Sequence, residues 1–166
     1  NAGTLTLEAL AWTNGTTRAT ALALQDGVLS KTGALTRRFL GTFYTTSTTT
    51  TEDSAVKRFL SNFYNDEDRS FIRAEDAFSW TIASSTYAQA NSNSANQLAM
   101  VCCVPRLVDV AVSVVGQGGG ANGAFVALGV DSTNTRHADA TVGYLTSTAP
   151  VQAASFLRTY LTAGYH

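Results

Sequence analysis

The stretch Thr51–Asn65, TEDSAVKRFLSNFYN, decides how the rest of the chain is read. Around it the sequence is rich in Thr, Ala, Val and Gly, while this passage has the spacing of a helix. On a helical wheel Ala55, Val56, Phe59, Leu60, Phe63 and Tyr64 share one side, and Glu52, Asp53, Lys57, Arg58, Ser61 and Asn62 the other. Thr49, followed three residues later by Glu52, has the form of a capping box, and Asp53 adds negative charge to the first turn. The polar run Asn65–Asp68 ends the pattern. The spacing therefore predicts one amphipathic helix over residues 52–64, with Val56, Phe59, Leu60 and Phe63 as its buried stripe. In a strand-rich chain such a helix reads as a plug over an open face or edge of a sheet.

Working outward, strand signals dominate. Thr4–Trp12 alternates at period two with Leu5 and Leu7 on one face, and Asn14-Gly15 marks a turn. Ala21–Gln25, Asp26-Gly27 and Val28–Lys31 form a hairpin pattern around a two-residue turn. Thr36–Tyr44 reads as a strand bent at Gly41, and Thr45–Thr51 as a low-complexity connector. Arg69–Ala74, Phe78–Ala83, Leu98–Val104, Val108–Val115, Ala124–Val130 and Val142–Leu145 follow as strand candidates, and Val151–Tyr165 supplies one or two more. Strands arriving about every ten residues predict a mainly β protein, a sandwich or barrel rather than βαβ units, forming a single domain over residues 1–166.

The 166 residues are enough for a core without a disulfide or metal staple. Only 14% of them are charged, against about 25% in ordinary soluble domains. A surface so weakly charged suits a component of an assembly, covered by its neighbours. The formal net charge is −1, and the basic residues make no stripe of the kind a phosphate backbone selects, so nucleic acid is not an expected partner. No run approaches the roughly 18 apolar residues that cross a bilayer, so membrane insertion is not expected either.

The chemistry-bearing residues make no constellation. Cys102 and Cys103 are adjacent in an apolar run, where strand geometry points them apart, so they read as two small buried hydrophobes. With only His137 and His166 beside them, no metal site and no cofactor is expected. The carboxylates Asp53, Asp66, Glu67, Asp68, Glu75 and Asp76 read as turn or helix-start residues, and no Ser sits in a nucleophile elbow. No catalytic residue is assigned. The glycines of Gly116–Gly123 precede a strand-like segment without a following Lys, which makes them a hairpin tip and not a phosphate cradle. Asp131–Thr135 lacks the closing Glu of a calcium loop and reads as a capped turn. Trp12, Phe78, Trp80 and Tyr87 are candidates for a sugar-stacking platform, with sheet packing the commoner role for such rings.

One block is more specific. Asp26-Gly27-Val28-Leu29, Lys31-Thr32-Gly33 and Thr36–Thr42, followed by Thr51–Ser54, Lys57–Leu60 and Asn62–Asn65, resemble a domain of tailed-bacteriophage virion proteins of the tail-fibre, head-fibre or minor structural type. Asp76–Thr81, Gln89–Asn91 and Gly129–Thr133 are similar to the same pattern. The resemblance implies a jelly-roll-like β-sandwich, a homotrimer and a place on the phage particle surface, tail or capsid, and it brings no catalytic residues. The family pattern runs on beyond Gly164-Tyr165-His166 into a further apolar, aromatic stretch, so a final strand is expected to be missing, disordered or supplied by a neighbouring copy, with the chain a fragment of a longer one.

The expectation is a non-enzymatic fibre, spike or capsid-attached protein contacting other virion proteins and a host surface glycan or protein. The loops that would make those contacts are represented by Thr48 and Thr49, by Asn91 and Asn93, and by Gln117, Gly119 and Asn122. A capsid cement protein recognising only virion partners is the alternative, and a carbohydrate-binding module or glycan-cleaving enzyme the second.

Overall fold

The structure is a computed structural model that describes residues 4–118, 123–146 and 148–166. It is mainly β. The first sheet is a meander of β1 (Leu22–Gln25), β2 (Val28–Lys31) and β3 (Ala34–Arg38). Then come β4 (Gly41–Phe43), β5 (Lys57–Arg58) and β6 (Leu60–Asn62). After a long stretch without strands follow β7 (Ala99–Cys102), β8 (Arg106–Gly116) and β9 (Ala124–Val126). The chain closes with β10 (Gly143–Leu145), β11 (Val151–Leu161) and β12 (Gly164–Tyr165). β4 pairs with β6, β9 with β10 and β8 with β11, all antiparallel, while β7 lies between antiparallel β12 and parallel β5.

Local chemistry explains the parts that sequence predicts. Asp26 and Gly27 take φ of 50° and 80°, the paired left-handed residues of the turn that suits a two-residue hairpin, and β1 and β2 register around them from Leu22↔Lys31 to Gln25↔Val28. Asn14 Oδ1 accepts the amides of Thr16 and Thr17 at 3.0 and 2.8 Å, an Asx turn. Gly41 is where the predicted strand breaks, because a Cβ there would lie 2.2 Å from the Ser61 carbonyl oxygen on β6. Cys102 and Cys103 are both free and buried. Burial pushes the Cys102 thiol up to about 11.

The predicted helix over 52–64 is not formed; the only helical element among the described residues is one short turn at Ala90–Ser92. Ser54 decides the local competition. Its Oγ accepts the amides of Val56 and Lys57 at 3.3 and 3.1 Å, and its own amide donates to the Lys57 carbonyl at 2.7 Å. The chain thus turns back on itself and bridges Asp53 to Arg58. Glu52 does not return to Thr49 as a capping box requires; it accepts from Ser54 Oγ and pairs with Lys57 Nζ at 3.0 Å. From Phe59 onward the alternation is that of a strand. Phe59 is 3% exposed, whereas Leu60, which a helix would place beside it, is 51% exposed. Phe59 and Phe63 are four residues apart, an even number, so they share a face in a strand as they do in a helix.

Three expected strands are also absent. Thr4–Trp12 has no strand pairing beyond the Trp12↔Arg18 bridge, and Leu5 and Leu7 stand in solvent. Arg69–Ala74 and Phe78–Ala83 form no strand, and in the first the Ile72 amide donates to the Ala55 carbonyl at 2.9 Å. Alternation alone specifies a strand only when a neighbouring edge accepts it.

The core has two centres. Phe59, Ala99, Val101, Cys102 and Cys103 form the first, with Tyr44 edge-on to Phe59 at 5.1 Å and Tyr165 at 5.7 Å. Ala140, Leu145, Ala153, Leu157 and Leu161 form the second, beneath the β8–β11 ribbon.

Placing a charge at Phe59 separates the strand from the helix. Phe59→Asp is expected to abolish the cooperative thermal transition followed by circular dichroism, and Phe59→Ala to cost about 3–5 kcal/mol. Leu60→Asp is expected to leave the transition midpoint nearly unchanged, whereas a helical stripe would make the two acidic variants equally damaging.

Candidate functional site

The residues expected to form interaction loops fall into three separate places. The Thr-rich connector is a hairpin tip, closed by the Thr45↔Thr51 bridge and by the Thr46 amide donating to the Thr50 carbonyl at 2.9 Å. The hydroxyls of Thr46 and Ser47 bond to Thr50 Oγ1 at 3.2 and 2.6 Å, which stiffens the base of the tip and presents Thr48 and Thr49 as exposed residues at its end. Of the seven consecutive hydroxyl-bearing residues here, Thr46, Ser47, Thr50 and Thr51 bond through their hydroxyls to the backbone or to one another.

Asn91 and Asn93 are placed differently. Both are half-buried, in a tight turn where Asn91 and Ser92 take φ of 55° and 50°. The turn is clamped from outside by Glu75. Its carboxylate accepts the Ala77 amide at 2.9 Å and the Asn96 side-chain amide, which also donates to the Ala90 carbonyl at 2.8 Å. Arg73 Nε donates to Asn96 Oδ1 at 3.2 Å. The Ala77 amide and the Asn96 side chain hold the Glu75 carboxyl below the usual carboxylate range. These half-buried asparagines are part of a loop held by Glu75 and Asn96, an arrangement that their clustering in the sequence does not reveal.

Gln117 is exposed just past the end of β8; Gly119 and Asn122 lie outside the described residues. On the far side of that loop a Cβ on Gly123 would sit 2.1 Å from the Tyr144 ring, which itself stacks on Phe125 at 4.6 Å. Among the described residues no hydrogen bond or ring contact joins the Thr tip, the Asn turn and Gln117 to one another.

The aromatic candidates also divide. The Trp12 face is covered by the Arg18 guanidinium, 4.3 Å from its centroid, and the same guanidinium lies 4.7 Å from Phe39. Arg18 further donates to the Cys103 carbonyl at 2.7 Å and to Thr42 Oγ1 at 3.2 Å, so Trp12 serves a structural clasp. Phe78 is fully exposed, while Trp80 and Tyr87 are half-buried on the wall of a cleft of about 1670 Å³ that runs along β8.

Compared with protein-family models, with curated proteins and with solved structures, the chain matches none. Among the described residues no three His, Cys, Asp or Glu side chains gather as a metal site would need, and no helix is long and apolar enough to cross a membrane. In the Asp131 corner Ser132 Oγ accepts the amides of Asn134 and Thr135 at 3.4 and 3.1 Å, the capped turn, and Asp131 meets His166 at 3.0 Å.

The Glu75 clamp predicts a pH dependence. Its folded-state proton affinity is lowered, so its contribution is complete above the ordinary carboxylate value of about 4.3 and is lost as pH falls through the lowered value. Hydrogen-exchange protection of amides in residues 90–96 is expected to fall selectively on acidification below that range, and Glu75→Gln to produce the same loss at neutral pH.

Proposed function

We propose that this chain is a non-enzymatic structural component of a phage virion, a fibre, spike or capsid-attached protein that assembles as a homotrimer and touches the host surface through its loops. Its finer architecture, on this reading, is a jelly-roll-like sandwich. The observation that carries the proposal is surface. The chain exposes 11381 Å², where a compact monomer of 17.5 kDa exposes roughly 7,900 Å². A chain that leaves Leu5, Leu7, Ile72 and Phe78 at or above 70% exposure has its apolar surface arranged for neighbours. The block Asp26–Asn65 supports the same reading, since the residues that resemble the phage domain supply the turn and second strand of the β1–β2 hairpin and most of β3–β6, with the Thr tip lying between the matching pieces. Affinity for a host surface would come from several copies of that weakly polar tip per particle.

Particles from the source of the sequence, labelled with gold-tagged antibody to the purified chain, test the proposal. Label at regular positions on tails or capsids in electron micrographs is expected. Particles without label, with the protein recovered only from the soluble fraction of the cell, would overturn it.

A further inference from the structure

The β8–β11 ribbon is the longest paired element of the protein, eleven residues on each strand. Its register places opposite residues on the same face. One face carries Ala153, Ser155, Leu157 and Leu161, all buried. The other carries the pairs Leu107/Tyr160, Asp109/Arg158, Ala111/Phe156, Ser113/Ala154 and Val115/Gln152. On a two-stranded antiparallel ribbon the solvent face is ordinarily polar. Here Tyr160 is 72% exposed, Val115 69% and Phe156 58%. The face holds no Lys or Glu, and its one cation is an Arg between two aromatic residues, the composition of an interface centre.

We propose that this outward ribbon face is the surface through which copies of the chain pack on one another, with Arg158 of one copy meeting Asp109 of the next. The two side chains lie 3.6 Å apart within the chain and are each 69% exposed, so both retain free hydrogen-bonding directions. A guanidinium has five donors and can serve its own Asp109 and a neighbour's together. Stacked ribbons at the usual sheet-to-sheet spacing of about 10 Å bring these groups within reach and bury Phe156 and Tyr160 around them. Exposed, the ion pair contributes little; screened from water at the centre of a contact it fixes register and partner. The face presents Val115, Phe156, Arg158 and Tyr160 exposed toward the roughly 800 Å² that each partner contributes to a stable interface. The inference concerns only how copies of this chain meet, and it stands whether or not the chain belongs to a virion.

Charge exchange in trans tests it. Arg158→Asp makes the ribbon centre wholly acidic and Asp109→Arg makes it wholly basic. The wild type is expected to associate at micromolar concentration by multi-angle light scattering. Each variant alone is expected to associate at least tenfold more weakly, with an unchanged circular dichroism spectrum. An equimolar mixture of the two is expected to recover assemblies containing both chains, identified by native mass spectrometry. If either variant fails to fold, Phe156→Ser with Tyr160→Ser replaces the pair and is expected to yield folded monomers. A wild type that stays monomeric, variants that associate as the wild type does, or a mixture that stays monomeric would each overturn the proposal.

Discussion

The Phe59 ring packs against both Tyr44 and Tyr165, and its backbone amide donates to the Glu52 carbonyl at 3.0 Å while its carbonyl accepts from the Tyr44 amide at 2.9 Å. One residue thereby fastens the end of the Thr hairpin, the turn built by Ser54 and the C-terminal strand β12. The same Tyr44 ring stacks on Tyr165 at 4.5 Å, so the contact joins segments 121 residues apart in the chain. Short strands such as β5, β6 and β12 have too few hydrogen bonds to stand alone. They are held where the chain passes this shared centre: the buried Phe59 lies between β5 and β6 in the sequence, and Tyr165 of β12 packs on its ring.

The second centre is organised by the ribbon. Ser155 is wholly buried and donates to the Thr141 carbonyl at 2.6 Å, which ties the segment leading into β10 against β11. Gly143 permits that approach, since a Cβ there would lie 2.6 Å from the Ala154 carbonyl oxygen. The ribbon has one face satisfied in this way. Its other face carries the exposed Val115, Phe156 and Tyr160 around a single ion pair, Asp109 with Arg158.

Much of the architecture is legible in the sequence wherever the signal is local. Asp26-Gly27 specifies its turn because only such residues adopt two successive left-handed conformations cheaply. The β-branched run Val108–Val115 specifies a strand because nothing interrupts it. The segment 52–64 misleads because Phe59 and Phe63 satisfy both periodicities, and the deciding competitor is one hydroxyl, Ser54, acting on amides two and three residues on. The roles of Asn91 and Asn93 are hidden for a different reason. They depend on Glu75 and Asn96, and contacts of that kind leave no periodic trace. The Thr48–Thr49 tip is legible as a loop; the hydroxyl bonds among Thr46, Ser47 and Thr50 at its base are not.

The account rests on residues 51–65 being strand and turn, with Phe59 and Leu60 on opposite faces. Backbone nuclear Overhauser contacts in the labelled protein measure this directly. Cross-strand contacts between Thr42 and Ser61 and between Phe43 and Leu60, in the register of β4 and β6, are the predicted result. A continuous series of contacts between residues three apart from Glu52 to Tyr64, as in a helix, would contradict it.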